Sequence, residues 1–515
     1  MATQESTQPS DKGFFGHPKG LFTLFTTEMW ERFSYYGIRP LLTLFMAAAL
    51  LDGGFGFERG QATAIVGIYG AAVYLFTLPG GWIADRWLGL RKAILYGAIL
   101  ISLGHISIGV SAFAAGKVAF FVGLILIVLG TGLLKPNISA IVGDLYPEGG
   151  SRRDAGFSIF YMGINIGAFL GFIVAGYLGE EVGWHWGFGI AGAGMILGLI
   201  TFALLGDSTL GDAGKEPTKD PDPEVQKRTE NLAKTVTFGG LGLITLIVVL
   251  TAMGFINIDP QVIGTYLTYV LIGIAIVFFA YLFIAGNLSS DEMKRVSVIA
   301  LLFIAAAIFW SAFEQAPTSL NLFAKDFTER NIGGWEIPAT WFQSFNSMFI
   351  IILAPVFAAI WEKLGKKGKD PSSPFKFSLG LLFAGVGFLI MIFAANIVVS
   401  GGGVKVLAWW LIFSYLFQTI GELCISPVGL SSMTKLSPRR YVGQMMGIWF
   451  LAASLGNLIA GLVGGQVDPE KLDQMPKLFT ATAITLIVAA IVMAVLAIPI
   501  SKMMKKTGDE IMKPE

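Results

Sequence analysis

The chain has 515 residues, of which 54% are hydrophobic and 14% charged, with a mean hydropathy of +0.69; this excludes a soluble enzyme and describes a polytopic membrane protein. The net charge of +1 gives no bulk electrostatic reason for a nucleic-acid partner. The single Cys424 excludes an intramolecular disulfide framework and a cysteine-rich metal site, and His17, His105 and His185 lack metal-ligand spacing, so no metal is expected.

Residues 1–20 are polar, lack a signal-peptide core and read as a cytoplasmic tail. Apolar runs long enough to cross a bilayer as helix follow near 21–50, 61–84, 92–112, 118–143, 155–178 and 187–206. Together, 21–206 make an N-terminal six-helix bundle. Residues 207–236 are rich in Asp, Glu, Lys and Pro without an apolar period, and read as a cytoplasmic linker. Spans near 237–256 and 262–286 form an inserted pair (237–290) that reads as a lipid-facing accessory hairpin. Six more spans, near 296–323, 338–361, 376–398, 405–430, 441–465 and 478–501, make a C-terminal six-helix bundle (291–501), followed by a cytoplasmic tail, 502–515. The expected fold is therefore all-α, with about fourteen spans counted six, two and six. Two such bundles suggest a substrate site between them. Lys and Arg concentrate in alternate loops: Arg86, Arg91 and Lys92, then Arg152 and Arg153, the linker, Lys363 to Lys369, Lys435 to Arg440, and the tail from Lys502. Both termini are thus expected in the cytoplasm.

The first span contains Glu28-Met-Trp-Glu31-Arg32-Phe-Ser-Tyr35-Tyr36-Gly37-Ile-Arg39. Each ionisable group there costs about 2.5–3.5 kcal/mol at a helix centre. Positions 28, 31, 32, 35, 36 and 39 share one helical face, which must look into a bundle or a wet cavity. Charges of both signs on that face suit a zwitterion, with carboxylates able to carry a proton. The competing reading is a Glu28–Arg32 salt bridge that only pins helices.

Gly80-Gly81-Trp-Ile-Ala-Asp85-Arg86-Trp-Leu-Gly89-Leu-Arg91-Lys92 joins spans two and three and resembles the loop signature of the major facilitator superfamily. The resemblance implies a conformational latch, with Asp85 and Arg86 as gating residues. In span five, Tyr161 and Asn165 share a face, while Gly163 and Gly167 form a small-xxx-small pair that admits another helix. Tyr–Asn pairs also serve as interhelical glue.

Glu28-x-x-Glu31-Arg32-Phe-x-Tyr-Tyr together with Phe160-Tyr161-x-x-Ile-Asn165-x-Gly167 resembles the proton-dependent oligopeptide transporter family, a branch of the major facilitator superfamily. The six-two-six layout is similar to its bacterial members. The resemblance runs from about Gly20 to Lys502 and implies two six-helix bundles with an inserted two-helix hairpin. It implies proton-coupled import of di- and tripeptides by alternating access, with the proton as coupling ion and no other cofactor. The layout and the lack of targeting signals suggest the plasma (inner) membrane of a bacterium, and a monomer is expected, with peptide, protons and membrane lipid as partners.

Residue by residue, the resemblance assigns proton coupling to Glu28, Glu31, Arg32 and Glu314. Lys135, before Pro136 in span four, and Glu422, in Glu422-Leu-Cys-Ile-Ser426-Pro427 of span ten, become binding and gating residues; a static ion pair is the alternative. Arg32, Arg39 and Lys135 would hold a peptide carboxylate, and Glu422, Asn165 and Asn346 its ammonium group, with Gln343 a weaker candidate. Tyr36, Tyr74, Tyr161, Trp310, Ser426, Trp449 and Asn457 complete the expected peptide-binding set. Packing is an equal reading for Trp449. Animal members rely on a histidine in span two; this chain has none there, so the proton falls to carboxylates. Within transport, another small zwitterion or anion (an amino acid, a modified peptide, nitrate) is the alternative substrate. In another class stands a membrane-embedded sensor. No nucleophile–base pair supports an enzyme.

Overall fold

A computed structural model describes residues 13–112, 116–147, 150–218 and 220–511. Residues 1–12 of the expected N-terminal tail, Lys219 of the linker and residues 512–515 lie outside the described residues. Among the described residues, thirteen helices are long and apolar enough to cross a membrane. Helix α1 (Lys19–Ala47) is as long as they are but carries Lys19, Glu28, Glu31, Arg32 and Arg39, which breaks its apolar length. With α1 the spans match the expected all-α polytopic fold.

The chain divides into two compact units. The first holds the chain up to Leu41 and from Leu75 to Ile258. It contains most of α1, α3 (Thr77–Ile83), α4 (Leu90–Val110), α5 (Gly116–Asp144), α6 (Gly150–Tyr177), α7 (Trp184–Thr209) and α8 (Pro223–Ala252). Glycines let its helices touch. A Cβ on Gly104 of α4 would lie 2.7 Å from the Gly123 carbonyl of α5, and one on Gly97 2.6 Å from that of Gly130. The segment after α7 folds back as a strap over the turn between α3 and α4. Arg91 donates to the carbonyls of Gly211 (2.6 Å) and Ala213 (2.7 Å) and to Asp207 (3.2 Å), and the Thr218 N–H donates to the Asp85 carbonyl at 2.9 Å. Lys215 donates to Asp212 at 2.8 Å and holds that carboxyl below its usual range.

The second unit holds Leu42–Tyr74 and the chain from Asp259 onward. It contains α2 (Arg59–Leu75), α9 (Pro260–Ala285), α10 (Ser290–Phe313), α11 (Ser319–Phe327), α12 (Ser344–Lys366), α13 (Ser373–Ser400), α14 (Trp409–Leu436), α15 (Val442–Gly464) and α16 (Gln474–Ile511). A short hairpin follows α11: β2 (Asn331–Ile332) pairs antiparallel with β3 (Trp335–Glu336) across Gly333 and Gly334, both at positive φ. Beside it, β1 (Thr328–Glu329) pairs parallel with β4 (Val406–Leu407).

Three boundaries differ from the sequence expectation. The run 296–323 is not one span: α10 ends at Phe313 and α11 begins at Ser319. Pro317 has no N–H to donate and disfavours helix at Ala316, so the chain turns there. Helix α8 starts at Pro223, inside the expected linker, because Asp222 accepts from the Glu224 N–H (2.9 Å) and a proline at the first helical position needs no partner. At the C-terminus, the backbone of α16 continues as helix to Ile511, through much of the expected tail.

Candidate functional site: two buried charge clusters

The first cluster belongs to α1. Glu28, Glu31, Arg32 and Arg39 are all buried, at 2%, 1%, 3% and 7% exposure, as expected of an inward face. Arg32 Nε is shared: it lies 3.1 Å from Glu28 Oε1 and 2.5 Å from Glu31 Oε2. From α5, the Thr131 hydroxyl donates to Glu31 Oε1 at 3.5 Å, and half-buried Lys135, one turn on, lies within electrostatic reach of Glu28. Among the described residues, Glu28 Oε2 and Arg32 Nη2 have no hydrogen-bond partner. A buried carboxylate oxygen and guanidinium nitrogen in that state are high-energy groups, and they mark where a proton or a ligand carboxylate would be welcome.

Tyr35 stands between two cations. Arg32 lies 5.3 Å and Arg39 5.7 Å from its ring centroid. Tyr36 packs at 5.5 Å on Phe172 of α6. Helix α6 reaches this face because its glycines fit under α1. A Cβ on Gly171 would lie 2.5 Å from the Phe33 carbonyl, one on Gly163 2.8 Å from the Phe25 ring, and one on Gly167 would collide with the Met29 carbonyl. The small-xxx-small pair in span five therefore does admit another helix, and that helix is the charged one. On α6, buried Asn165 donates to the Tyr161 carbonyl at 3.0 Å, while the Tyr161 side chain is 44% exposed.

The second cluster is held by α14, α12 and the end of α10. Asn346 donates both to Glu422 Oε2 and to the Thr419 hydroxyl, each at 3.0 Å. Thr419 in turn donates to the Tyr415 carbonyl at 2.7 Å, so the amide of Asn346 is oriented with its donors on the carboxylate. Buried Glu314 caps α10 and lies within electrostatic reach of Glu422. Its N–H donates to the Trp310 carbonyl at 2.9 Å, so the Trp310–Glu314 relation survives as the last turn of α10. Trp310 Nε1 and Ser426 Oγ are buried donors without a partner among the described residues. Pro427, next to Ser426, removes one helical hydrogen bond from α14.

Trp449 is 7% exposed and its ring covers Gly429 of α14; Asn457 donates to the Ala453 carbonyl of its own helix at 2.9 Å. Tyr74 is half-buried near the end of α2. In the turn between α3 and α4, Asp85 is exposed and Arg86 half-buried, and the strap from α7 engages the Asp85 backbone rather than its carboxylate. Sequence reasoning missed Thr131 and Thr419, and it placed Tyr35 on the inward face without giving it a role. The first two were hidden because their partners come from the same fold but not the same motif. Tyr35 carried a signal, being three residues after Arg32 and four before Arg39.

A bundle of membrane helices with buried carboxylates, guanidinium groups and amides defines a multi-pass membrane carrier. The POT family profile matches residues 91–478. The peptide transporter YePEPT of Yersinia enterocolitica subsp. palearctica is 49% identical over 98% of this chain and 99% of its own length. A di-/tripeptide transporter of Lactococcus lactis subsp. cremoris is 38% identical over 97% and 99%. Among solved structures, the peptide transporter POT in complex with sulfate superposes with a TM-score of 0.87 at 41% identity, covering 96% of this chain and 98% of that one. A POT family transporter in complex with 5-aminolevulinic acid gives 0.85 at 35% identity, covering 95% and 98%. The chain belongs to the POT family of peptide transporters, with the major facilitator fold that the sequence resemblance implied.

Proposed function

We infer that the chain is a proton-coupled symporter that brings di- and tripeptides across the cytoplasmic membrane by alternating access. The observation that carries this reading is the single guanidinium of Arg32 shared by two buried carboxylates, Glu28 at 3.1 Å and Glu31 at 2.5 Å. One cation cannot neutralise two carboxylates. A proton taken up on Glu28 or Glu31 turns that oxygen from acceptor to donor, and Arg32 is then available to a substrate carboxylate through a charge-assisted, forked hydrogen bond. Lys135 and Arg39 add positive charge for the same end of the substrate. The second cluster supplies the opposite chemistry: Glu422, oriented by Asn346 and joined by Glu314, takes an ammonium group.

Such a carrier reads the two charged ends of a peptide and leaves the side chains to adaptable aromatic walls, with Tyr36, Tyr74, Trp310 and Trp449 as candidates. The structural relative that holds 5-aminolevulinic acid, another amine and carboxylate on one short chain, supports recognition by ends. Both termini belong in the cytoplasm on the distribution of Lys and Arg, the membrane is the plasma membrane of a bacterium, and the chain works as a monomer without a cofactor.

The test is uptake of labelled di-alanine by purified protein in liposomes. Accumulation should require an inward proton gradient or an inside-negative potential, collapse with a protonophore, and be competed by tri-alanine but not by alanine or tetra-alanine. Lys135→Ala and Glu422→Ala should each abolish accumulation while the protein remains in the membrane. Full accumulation by either variant overturns the assignment of the two ends.

A further inference from the structure

An apolar furrow of about 750 Å³ opens on the surface of the second unit, where α9, α10, α15 and α16 meet. Its walls include Ile276, Ile304, Ile308, Leu455, Ala481 and Thr485. A smaller furrow of about 420 Å³ continues between the same faces of α10 and α16 and shares Ile304, Ile308 and Thr485 with it. Along α16 the first runs from Lys477 to Leu486, about 14 Å at 1.5 Å per residue. The second carries the line to Leu496, so that Lys477 to Leu496 covers about 28 Å. These lengths match half and all of a hydrocarbon core about 30 Å thick. An open apolar channel in membrane-spanning helices has acyl chains as its only solvent, and the first furrow has the depth of one leaflet with polar residues at one end.

That polar end is built from Gln315, Gln466 and Lys477. Gln315 is fully engaged inside the protein, donating to Thr482 at 3.2 Å and accepting from Ser319 at 2.8 Å, so it forms a polar floor. Lys477 is 73% exposed and lies 2.6 Å from Asp473, itself 67% exposed. Lys477 lines the furrow and Asp473 stands beside it one helical turn earlier, so an ammonium and a carboxylate lie side by side at this end. Their charge pattern complements a phosphate followed by a primary ammonium, and it opposes a purely anionic head, which would face Asp473.

We propose that this furrow is a seat for one phospholipid with a phosphoethanolamine head: an acyl chain lies along α10 and α16, the phosphate meets Lys477, and the ammonium meets Asp473. The lipid packs the inserted helix α9 against α10, α15 and α16 from outside.

Two measurements on the full-length protein test this. In the first, the protein is released from nanodiscs containing equal phosphatidylethanolamine, phosphatidylglycerol and phosphatidylcholine, and retained lipid is counted by native mass spectrometry. Phosphatidylethanolamine should exceed either competitor by about tenfold, the equivalent of 1.4 kcal/mol. Ala481→Trp, which fills the furrow from an exposed position, should remove retention of all three; its peptide uptake reports that it still folds. Asp473→Asn should erase the preference over phosphatidylglycerol. In the second, phosphatidylethanolamine with a photoreactive acyl chain should label peptides from α10 and α16 and not from α13. Retention unchanged by Ala481→Trp, or label absent from α10 and α16, overturns the seat. Equal retention of phosphatidylglycerol in the unmodified chain overturns the head-group assignment.

Discussion

The seam between α2 and α15 is held shut by glycine. A Cβ on Gly461 would lie 2.6 Å from Gly67 Cα and 2.7 Å from the Thr63 carbonyl; one on Gly67 would lie 2.7 Å from the Asn457 carbonyl; one on Gly465 would lie 2.5 Å from Gly60 Cα. Every obstacle is backbone, so no rotamer change relieves it. Around the seam, Arg59 pairs with Asp326 at 2.5 Å and donates to the Val467 carbonyl at 3.1 Å, and Ser454 donates to the Ala71 carbonyl at 3.1 Å. Gly461→Ala must part the helices by several tenths of an ångström, at an overpacking cost of about 1–3 kcal/mol. The cost falls only on the closed seam, so the open population rises by about 5- to 140-fold at 1.4 kcal/mol per tenfold. The assay is maleimide labelling of Thr63→Cys, a fully buried seam position, in a Cys424→Ser chain, with di-alanine uptake in parallel. Labelling should accelerate by that factor and uptake should fall. Gly443→Ala on the same helix, where a Cβ meets open space, is the control and should change neither. If Gly461→Ala labels at the control rate and keeps full uptake, the seam is not a tight closure that the transport cycle must open.

Three further outcomes follow from the clusters and the strap. Asn346→Ala removes the donor on Glu422, a charged hydrogen bond contributing about 1.5–3 kcal/mol, and should raise the KM for di-alanine about ten- to hundredfold; a change under about twofold would remove Asn346 from the binding set. Tyr35→Leu deprives Arg32 and Arg39 of their shared ring, at about 0.5–2 kcal/mol for each, and should lower the melting temperature, whereas Tyr35→Phe keeps the ring face and should lower it less; the reverse order would refute the cation–π account. Arg91→Ala frees the strap, and amide hydrogen exchange in 211–218 should speed up by at least about tenfold, read by mass spectrometry, with α4 unchanged. Unchanged exchange would show that the strap is held by something other than Arg91.

What could be read from the sequence was whatever repeats along one helix. The inward face of α1 was legible because Glu28, Arg32 and Arg39 return every turn or two, and their burial follows from the cost of charge in a bilayer. Gly163 and Gly167 were legible as a contact surface for the same reason, although nothing in their own spacing says that the partner is α1. Breaks were harder. Pro317 is a stop signal, and Glu314, Gln315, Thr318 and Ser319 beside it already break the apolar run, but the overall length of 296–323 outweighed backbone chemistry. The start of α8 was missed in the opposite way: Asp222-Pro223-Glu224 is a helix-start signature, obscured by the charge density that made the region read as linker. Thr131 and Thr419 were out of reach, because a hydroxyl gains a role only from the tertiary neighbour it meets.

The Arg32 arrangement also decides which experiment can speak about transport. Among the described residues, Arg32 lies within ion-pair distance of both Glu28 and Glu31, and each of the three is no more than 3% exposed. Removing it leaves two buried carboxylates without their cation, and breaking a buried pair in this way costs about 3–5 kcal/mol of stability. A silent Arg32→Ala transporter would therefore report a folding defect as readily as a lost binding group. Lys135 is different. It is half-buried, and Glu28 keeps Arg32 at 3.1 Å when Lys135 is lost, so neither carboxylate is left without a cation at ion-pair distance. Glu422 is half-buried too, and Asn346 retains Thr419 as an acceptor if the carboxylate is removed. Loss of accumulation in Lys135→Ala or Glu422→Ala, with the melting temperature held, is thus a statement about peptide and proton, which the same loss in Arg32→Ala is not.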